Sequence, residues 1–201
     1  MIPPTLTPPS PARSMTLADY RALEETARDR HEYHDGEIIP MTGGTLEHSA
    51  IAGNIYAVLK PALRKTRLKP FNSDLRVWIP QYQRGLYPDV TVIEGEPQLN
   101  DGRRDEILNP QLIVEVLSDS TEAYDRGDKF MYYRSIASLS EYVLVNQYRP
   151  AIERYTRVEP HQWLMESYEG LEAIVRLKLA NLELSAADIY EDVIFPSLDL
   201  E

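Results

Sequence analysis

The run Leu112-Ile113-Val114-Glu115-Val116-Leu117 decides the reading of this chain. It lacks the polar alternation of a half-exposed strand, so it reads as a strand, spanning 111–117, buried on both faces. The one charge in it, Glu115, is costly there unless it is paired, protonated or bound to metal. Downstream, Ser118 to Thr121 can cap a helix over 122–136 that carries Asp125 and Lys129, and 141–146 is again apolar and strand-like. Upstream, 87–94 reads as a strand with core positions Val90 and Val92, and it contains Pro88-Asp89. The polar stretch 95–109 reads as a connecting loop.

Working outward, Thr16 with Asp19 three residues on forms a capping box for a short helix over 17–26, with Leu17, Tyr20 and Leu23 on one face. Residues 31–41 alternate around Asp35-Gly36, a favoured two-residue hairpin turn. The most regular helix runs over 46–66, with Ile51, Ile55, Val58, Leu59 and Leu63 as its buried stripe and Pro61 as a kink. Further strands are expected at 73–80, 151–156 and 162–168, and a last helix at 185–190. The order predicts an α/β fold, a mixed β-sheet flanked by helices. Residues 1–14, with five prolines between Pro3 and Pro11, read as a tail. Residues 15–201 read as a single domain, a length that suits one core.

The chain has no cysteine, which excludes disulfide scaffolds, thiolate zinc sites and cysteine nucleophiles and fits a cytoplasmic setting. No apolar run approaches the roughly 20 residues of a membrane span. A Gly-rich phosphate loop and a G-x-S-x-G elbow are both absent, against P-loop and α/β-hydrolase chemistry. The formal charge of −11 opposes a broadly basic nucleic-acid-binding face, although field depends on arrangement and gathered carboxylates add charge that bound cations offset.

Asp89, Glu115 and Lys129 make chemical sense together. Two carboxylates on neighbouring strands would supply oxygen ligands to Mg²⁺, with the Val116 carbonyl as a neutral third. Such a metal polarises a phosphate and lowers the pKa of a bound water, and a lysine beside it orients that water and offsets developing charge. Taken singly, Asp89 reads as a strand terminus, and Lys129 as a solvated partner of Asp125 at i, i+4. Tyr132 and Tyr133 read either as stacking groups or as core rings.

Pro88-Asp89 followed by Glu115-Val116-Leu117 resembles the PD-(D/E)XK signature of restriction-endonuclease-like proteins. More closely, the chain resembles the Uma-type family of endonucleases common in cyanobacteria. The matching stretches include Glu32-Tyr33 with Asp35-Gly36-Glu37-Ile38, and Glu47-His48 with Ile51 and Asn54. They continue through Tyr87-Pro88-Asp89-Val90 and Pro110 to Ser118, then Asp125, Lys129, Tyr133 and Glu141-Tyr142. The resemblance covers about residues 15 to 195 and implies a restriction-endonuclease-like core. It implies a Mg²⁺-dependent (or Mn²⁺-dependent) endonuclease acting on DNA, working as a homodimer. Leu117 stands where the signature has lysine, and the resemblance assigns that role to Lys129 on the next helix. It also implies auxiliary roles for Glu37, His48 and Glu32. His48 at a helix start suits phosphate binding or proton transfer. If Lys129 fails to reach the acidic pair, the alternative is a degenerate nuclease fold acting as an interaction module. An RNA or nucleotide phosphate is a third substrate class.

Overall fold

A computed structural model describes residues 14–195; the Pro-rich tail expected at 1–14 lies, but for Ser14, outside the described residues. In chain order the elements are α1 (Leu17–Glu24), β1 (His31–His34), β2 (Glu37–Pro40), α2 (Leu46–Ala62), β3 (Leu68–Asn72) and β4 (Arg76–Ile79). Then come β5 (Arg84–Leu86), β6 (Val90–Glu94), β7 (Glu106–Ile107) and β8 (Pro110–Leu117). A helical segment follows: α3 (Glu122–Tyr124), a π turn at Asp125–Lys129 and α4 (Phe130–Tyr133). The chain closes with β9 (Glu141–Asn146), β10 (Ala151–Glu159), β11 (Gln162–Glu169), β12 (Ile174–Leu177), β13 (Leu182–Ser185) and α5 (Ala186–Ile189).

The central sheet has six strands in the order β11-β10-β9-β8-β6-β3. Its one parallel pair, β8 with β9, is joined by the helical crossover that carries Lys129; its other pairs are antiparallel. A second sheet, β2-β1-β5-β4-β7, packs beside it, and β12 and β13 form a small hairpin. This is the mixed α/β architecture expected.

Strand alternation decides what each face meets. Leu112, Val114 and Val116 join Val90, Val92, Val143 and Val145 against the α2 stripe of Ile51, Ile55, Leu59 and Leu63. Ile113 and Leu117 turn the other way, toward Tyr133, Ile136, Tyr142 and the second sheet's Val77, Ile79 and Leu86. Glu115 shares their parity, so β8 aims its carboxylate at the helical crossover rather than at α2.

Local chemistry explains the ends and turns. Thr16 and Asp19 form the reciprocal cap of α1. Asp35 (φ +50°) and Gly36 (φ +97°) take the left-handed conformations of the hairpin turn, and the β1–β2 register follows from it. Four features differ from expectation. Strand β3 forms despite Pro70, because an edge strand tolerates a missing donor. The stretch 95–109 is not wholly loop: β7 pairs in parallel with β4, burying Glu106 against Arg76 at 2.7 Å. Strand β5 is only three residues long, and β12–β13 was not foreseen.

Candidate active site

The β6–β8 ladder brings the two acidic candidates together. Val90 pairs with Val114, which sets Asp89 beside the Glu115–Val116 step. The Val116 N–H donates to Asp89 Oδ2 at 2.8 Å. A carboxylate fixed by a backbone donor at a strand start has a defined direction rather than a solvated swing.

Lys129 reaches this pair from the crossover. Its Nζ lies 3.1 Å from Glu115 Oε1 and 3.1 Å from Asp125 Oδ1. The Tyr133 hydroxyl donates to the same Glu115 Oε1 at 3.0 Å, and the Tyr142 hydroxyl donates to the Asp125 carbonyl at 2.9 Å. Asp125, Lys129 and Tyr133 recur every four residues, so one helical face holds all three. The π turn lies in that segment, a distortion that recurs at functional sites.

His48 stands in the first turn of α2, where its own N–H donates to the N-cap Thr45 hydroxyl at 3.1 Å. Its Nε2 lies 3.4 Å from Asp89 Oδ2, and its ring also faces the Val116 carbonyl. Burial pulls the imidazolium pKa down. The bond to Asp89, that carboxylate's charge and the Val116 carbonyl outweigh burial, so the pKa stands above its ordinary 6.5.

Glu32 and Glu37 part company. Glu32, on the inner strand β1, is buried and acts on the Lys129 charge. Its Oε2 lies 3.0 Å from His34 Nε2, and that nitrogen is 3.4 Å from the Tyr124 hydroxyl. Glu37 stands exposed at the turn end of the edge strand β2. Arg84 on β5 lies over the Tyr132 ring, 5.1 Å from its centre. Sequence reading did not single out Arg84, His34 or Tyr124; of the two tyrosines it did name, Tyr133 is the core ring, its hydroxyl satisfied by Glu115.

Burial governs the electrostatics. The Glu115 side chain is 4% exposed and the Lys129 side chain 10%. Desolvation pushes the Glu115 carboxyl well above its ordinary 4.5; the Lys129 charge opposes this, while Asp125 and Asp89 add to it. Burial favours neutral Lys129, but Glu115 and Asp125 outweigh it and hold the ammonium charged. One cation therefore faces two buried carboxylates, and burial makes Glu115 readier to bind a proton than an ordinary carboxyl. A carboxyl that binds its proton more tightly when folded contributes stability that is whole below about pH 4.5 and is lost as pH rises toward the folded pKa. Urea midpoints in EDTA should fall with rising pH more steeply for the wild type than for Glu115→Gln; parallel profiles would show that folding leaves the Glu115 carboxyl at its ordinary pKa.

Among the described residues no set of three or more His, Cys, Asp or Glu side chains is gathered for a metal. The available donors are the Asp89 and Glu115 carboxylates and the Val116 carbonyl. Mg²⁺ accepts such a set, since it needs only one or two carboxylates and keeps several waters. The contacts above fall on Oδ2 of Asp89 and Oε1 of Glu115, so each carboxylate has a second oxygen outside them.

Residues 17–187 match the Uma2 family, described as “Putative restriction endonuclease”. Two uncharacterised proteins of Synechocystis sp. are each 35% identical. One aligns over 168 residues, 84% of this chain and 95% of the relative; the other aligns over 192 residues, 95% of this chain and 96% of the relative. A crystal structure from Anabaena variabilis, titled as a putative nuclease belonging to DUF820, superimposes with a TM-score of 0.68 at 19% identity. It covers 84% of this chain and 93% of that one; at this identity the likeness speaks for the fold.

Proposed function

Because the chain belongs to the Uma2 restriction-endonuclease family, we propose that this nuclease is a Mg²⁺-dependent endonuclease that hydrolyses phosphodiester bonds in DNA. The observation that carries the reading is the contact of Lys129 Nζ with Glu115 Oε1 at 3.1 Å. It supports the assignment of the signature lysine to the crossover helix. Asp89, Glu115 and the Val116 carbonyl would hold Mg²⁺, which supplies charge for the phosphate and a water of lowered pKa. Lys129 orients the attacking water and offsets charge on the phosphoryl oxygens. Water adds to phosphorus, the bond to the leaving oxygen breaks, and one product keeps the phosphate. His48, whose protonated form Asp89 favours, would donate a proton to the leaving oxygen. Glu32 tunes the Lys129 charge from β1, and Glu37 at the hairpin edge is an auxiliary contact to substrate. A two-fold homodimer in the cytoplasm is part of the same reading, since cutting two strands needs two sites. No helix among the described residues is long and apolar enough to cross a membrane.

A second reading, a non-catalytic interaction module, is favoured by one observation: Glu115 already has internal partners in Lys129 and Tyr133. Supercoiled plasmid separates the two. The endonuclease reading expects nicking with Mg²⁺ or Mn²⁺, none in EDTA, and loss of nicking in Asp89→Asn. A wild type that neither binds these ions by calorimetry nor nicks plasmid would leave the module reading standing.

A further inference from the structure

The formal charge is −11, and many of the cationic side chains already face a carboxylate. Arg21, Arg76, Arg103, Arg126, Arg149 and Arg154 all pair with carboxylates. One open cavity of about 530 Å³ departs from this pattern. Arg134, Arg157 and His161 line it together with the rings of Tyr82 and Trp163, and no Asp or Glu is among its lining residues.

Arg157 is the fixed charge of this cavity. Its guanidinium donates to backbone carbonyls: Nε to Leu139 at 2.8 Å, Nη1 to Pro160 at 2.9 Å, and Nη2 to Arg134 at 2.7 Å and Ile136 at 3.0 Å. Carbonyl dipoles satisfy its donors without cancelling its charge. Its plane lies over Trp163, 4.5 Å from the ring centre. Arg134 and His161 are exposed at the rim. A lone cation costs least where solvent or an anion reaches it, and here aromatic walls stand beside it, the pairing that single-stranded nucleic acid uses.

The crossover segment that carries Lys129 also lines the cavity, through Met131, Arg134 and Ser135. Tyr132 follows Lys129 by three residues, on the same helical face. Its ring meets Tyr82, a cavity residue, with centres 4.9 Å apart, and Arg84 lies on it as well. From Lys129 to Arg134 the segment rises about 7–8 Å.

The geometry points to this cavity as a docking subsite for the nucleic-acid strand: it takes a phosphate and its base, away from the bond cleaved at Glu115 and Lys129. Arg134 and His161 meet the phosphate, Arg157 supplies standing positive potential, and Tyr82 and Trp163 wall the base. The subsite rests on the nuclease reading, and it explains how an acidic protein holds a polyanion locally.

The test is binding of a short labelled single-stranded deoxyoligonucleotide in EDTA, followed by anisotropy and by tryptophan emission across a salt series. The expected result is quenching that is lost in Trp163→Phe, together with a slope of log affinity against log salt that drops by about 0.7 in Arg134→Gln, one phosphate contact on a single strand. Arg176→Gln, with the same change of charge on the separate β12–β13 hairpin, should leave the slope unchanged. Equal affinity and slope in wild type and Arg134→Gln, with Mg²⁺-dependent plasmid nicking intact, would overturn the subsite and spare the nuclease. Absence of nicking in the wild type would instead overturn the nuclease reading and the subsite with it. Quenching by a free mononucleotide that the oligonucleotide does not compete away would identify a nucleotide pocket and also overturn strand docking.

Discussion

Lys129→Met is expected to destabilise the protein by about 3–5 kcal/mol at neutral pH, the cost of stripping a buried ion cluster of its cation. Methionine fills the same slim volume, so the loss is electrostatic rather than a packing defect. Asp125 is 2% exposed and Glu115 3% exposed, and the ammonium between them lies 3.1 Å from each. Without it the two carboxylates repel in a medium that screens poorly. The loss should shrink as pH falls, because protonating Glu115, whose carboxyl burial pushes above its ordinary range, removes part of the uncompensated charge. Glu115→Gln added to Lys129→Met should restore part of the stability. Urea midpoints across pH measure all of this. An unchanged midpoint in the single variant would mean that the ammonium contributes no more than a solvated surface lysine. Nicking by Lys129→Met should drop by at least about a hundredfold, as for loss of one group that meets transition-state charge.

Glu115→Gln separates chemistry from folding. The amide keeps the volume and an oxygen to accept the Tyr133 hydroxyl, now at 3.0 Å, and it sheds a charge that burial disfavours. Stability at neutral pH in EDTA should therefore hold or rise by up to about 1 kcal/mol. Nicking should fall by at least about a hundredfold, since an amide is a poor ligand for a hard divalent cation. Stabilisation by Mg²⁺ should go with it: in the wild type a hundredfold excess over Kd is worth about 2.7 kcal/mol. A glutamine variant that nicks like the wild type would remove Glu115 from the metal site.

Parts of this fold are legible wherever a local rule suffices. Thr16 and Asp19 write the α1 cap, Asp35-Gly36 writes the hairpin, and the four-residue recurrence of Ile51, Ile55, Leu59 and Leu63 writes the face α2 buries. The charge inside β8 singles out Glu115 by cost alone. The second sheet is illegible for the opposite reason. Strand β5 offers only Arg84-Gly85-Leu86, and its partners β1 and β4 come from different parts of the chain. Nothing local in Arg84 announces that it stacks on Tyr132, nor in Glu32 that it faces Lys129, because both depend on how that sheet docks. Strand β7 hides for another reason: Glu106 reads as a surface charge until Arg76 and Arg21 are found around it.

The π turn has a consequence for the lysine's bearing. Successive residues of an α-helix advance by about 100°, whereas a π turn spends an extra residue on one revolution. Everything after it is rotated out of phase with what precedes it. Lys129 closes this turn, so its heading toward Glu115 is set by residue count as much as by residue type. An enzyme whose lysine sits two positions from its glutamate on one strand inherits that aim from the pleat. Here the aim belongs to a helix, adjustable by a single inserted or deleted residue. One residue more or fewer in the crossover would turn the charge away from the acidic strand and leave β8 itself unchanged.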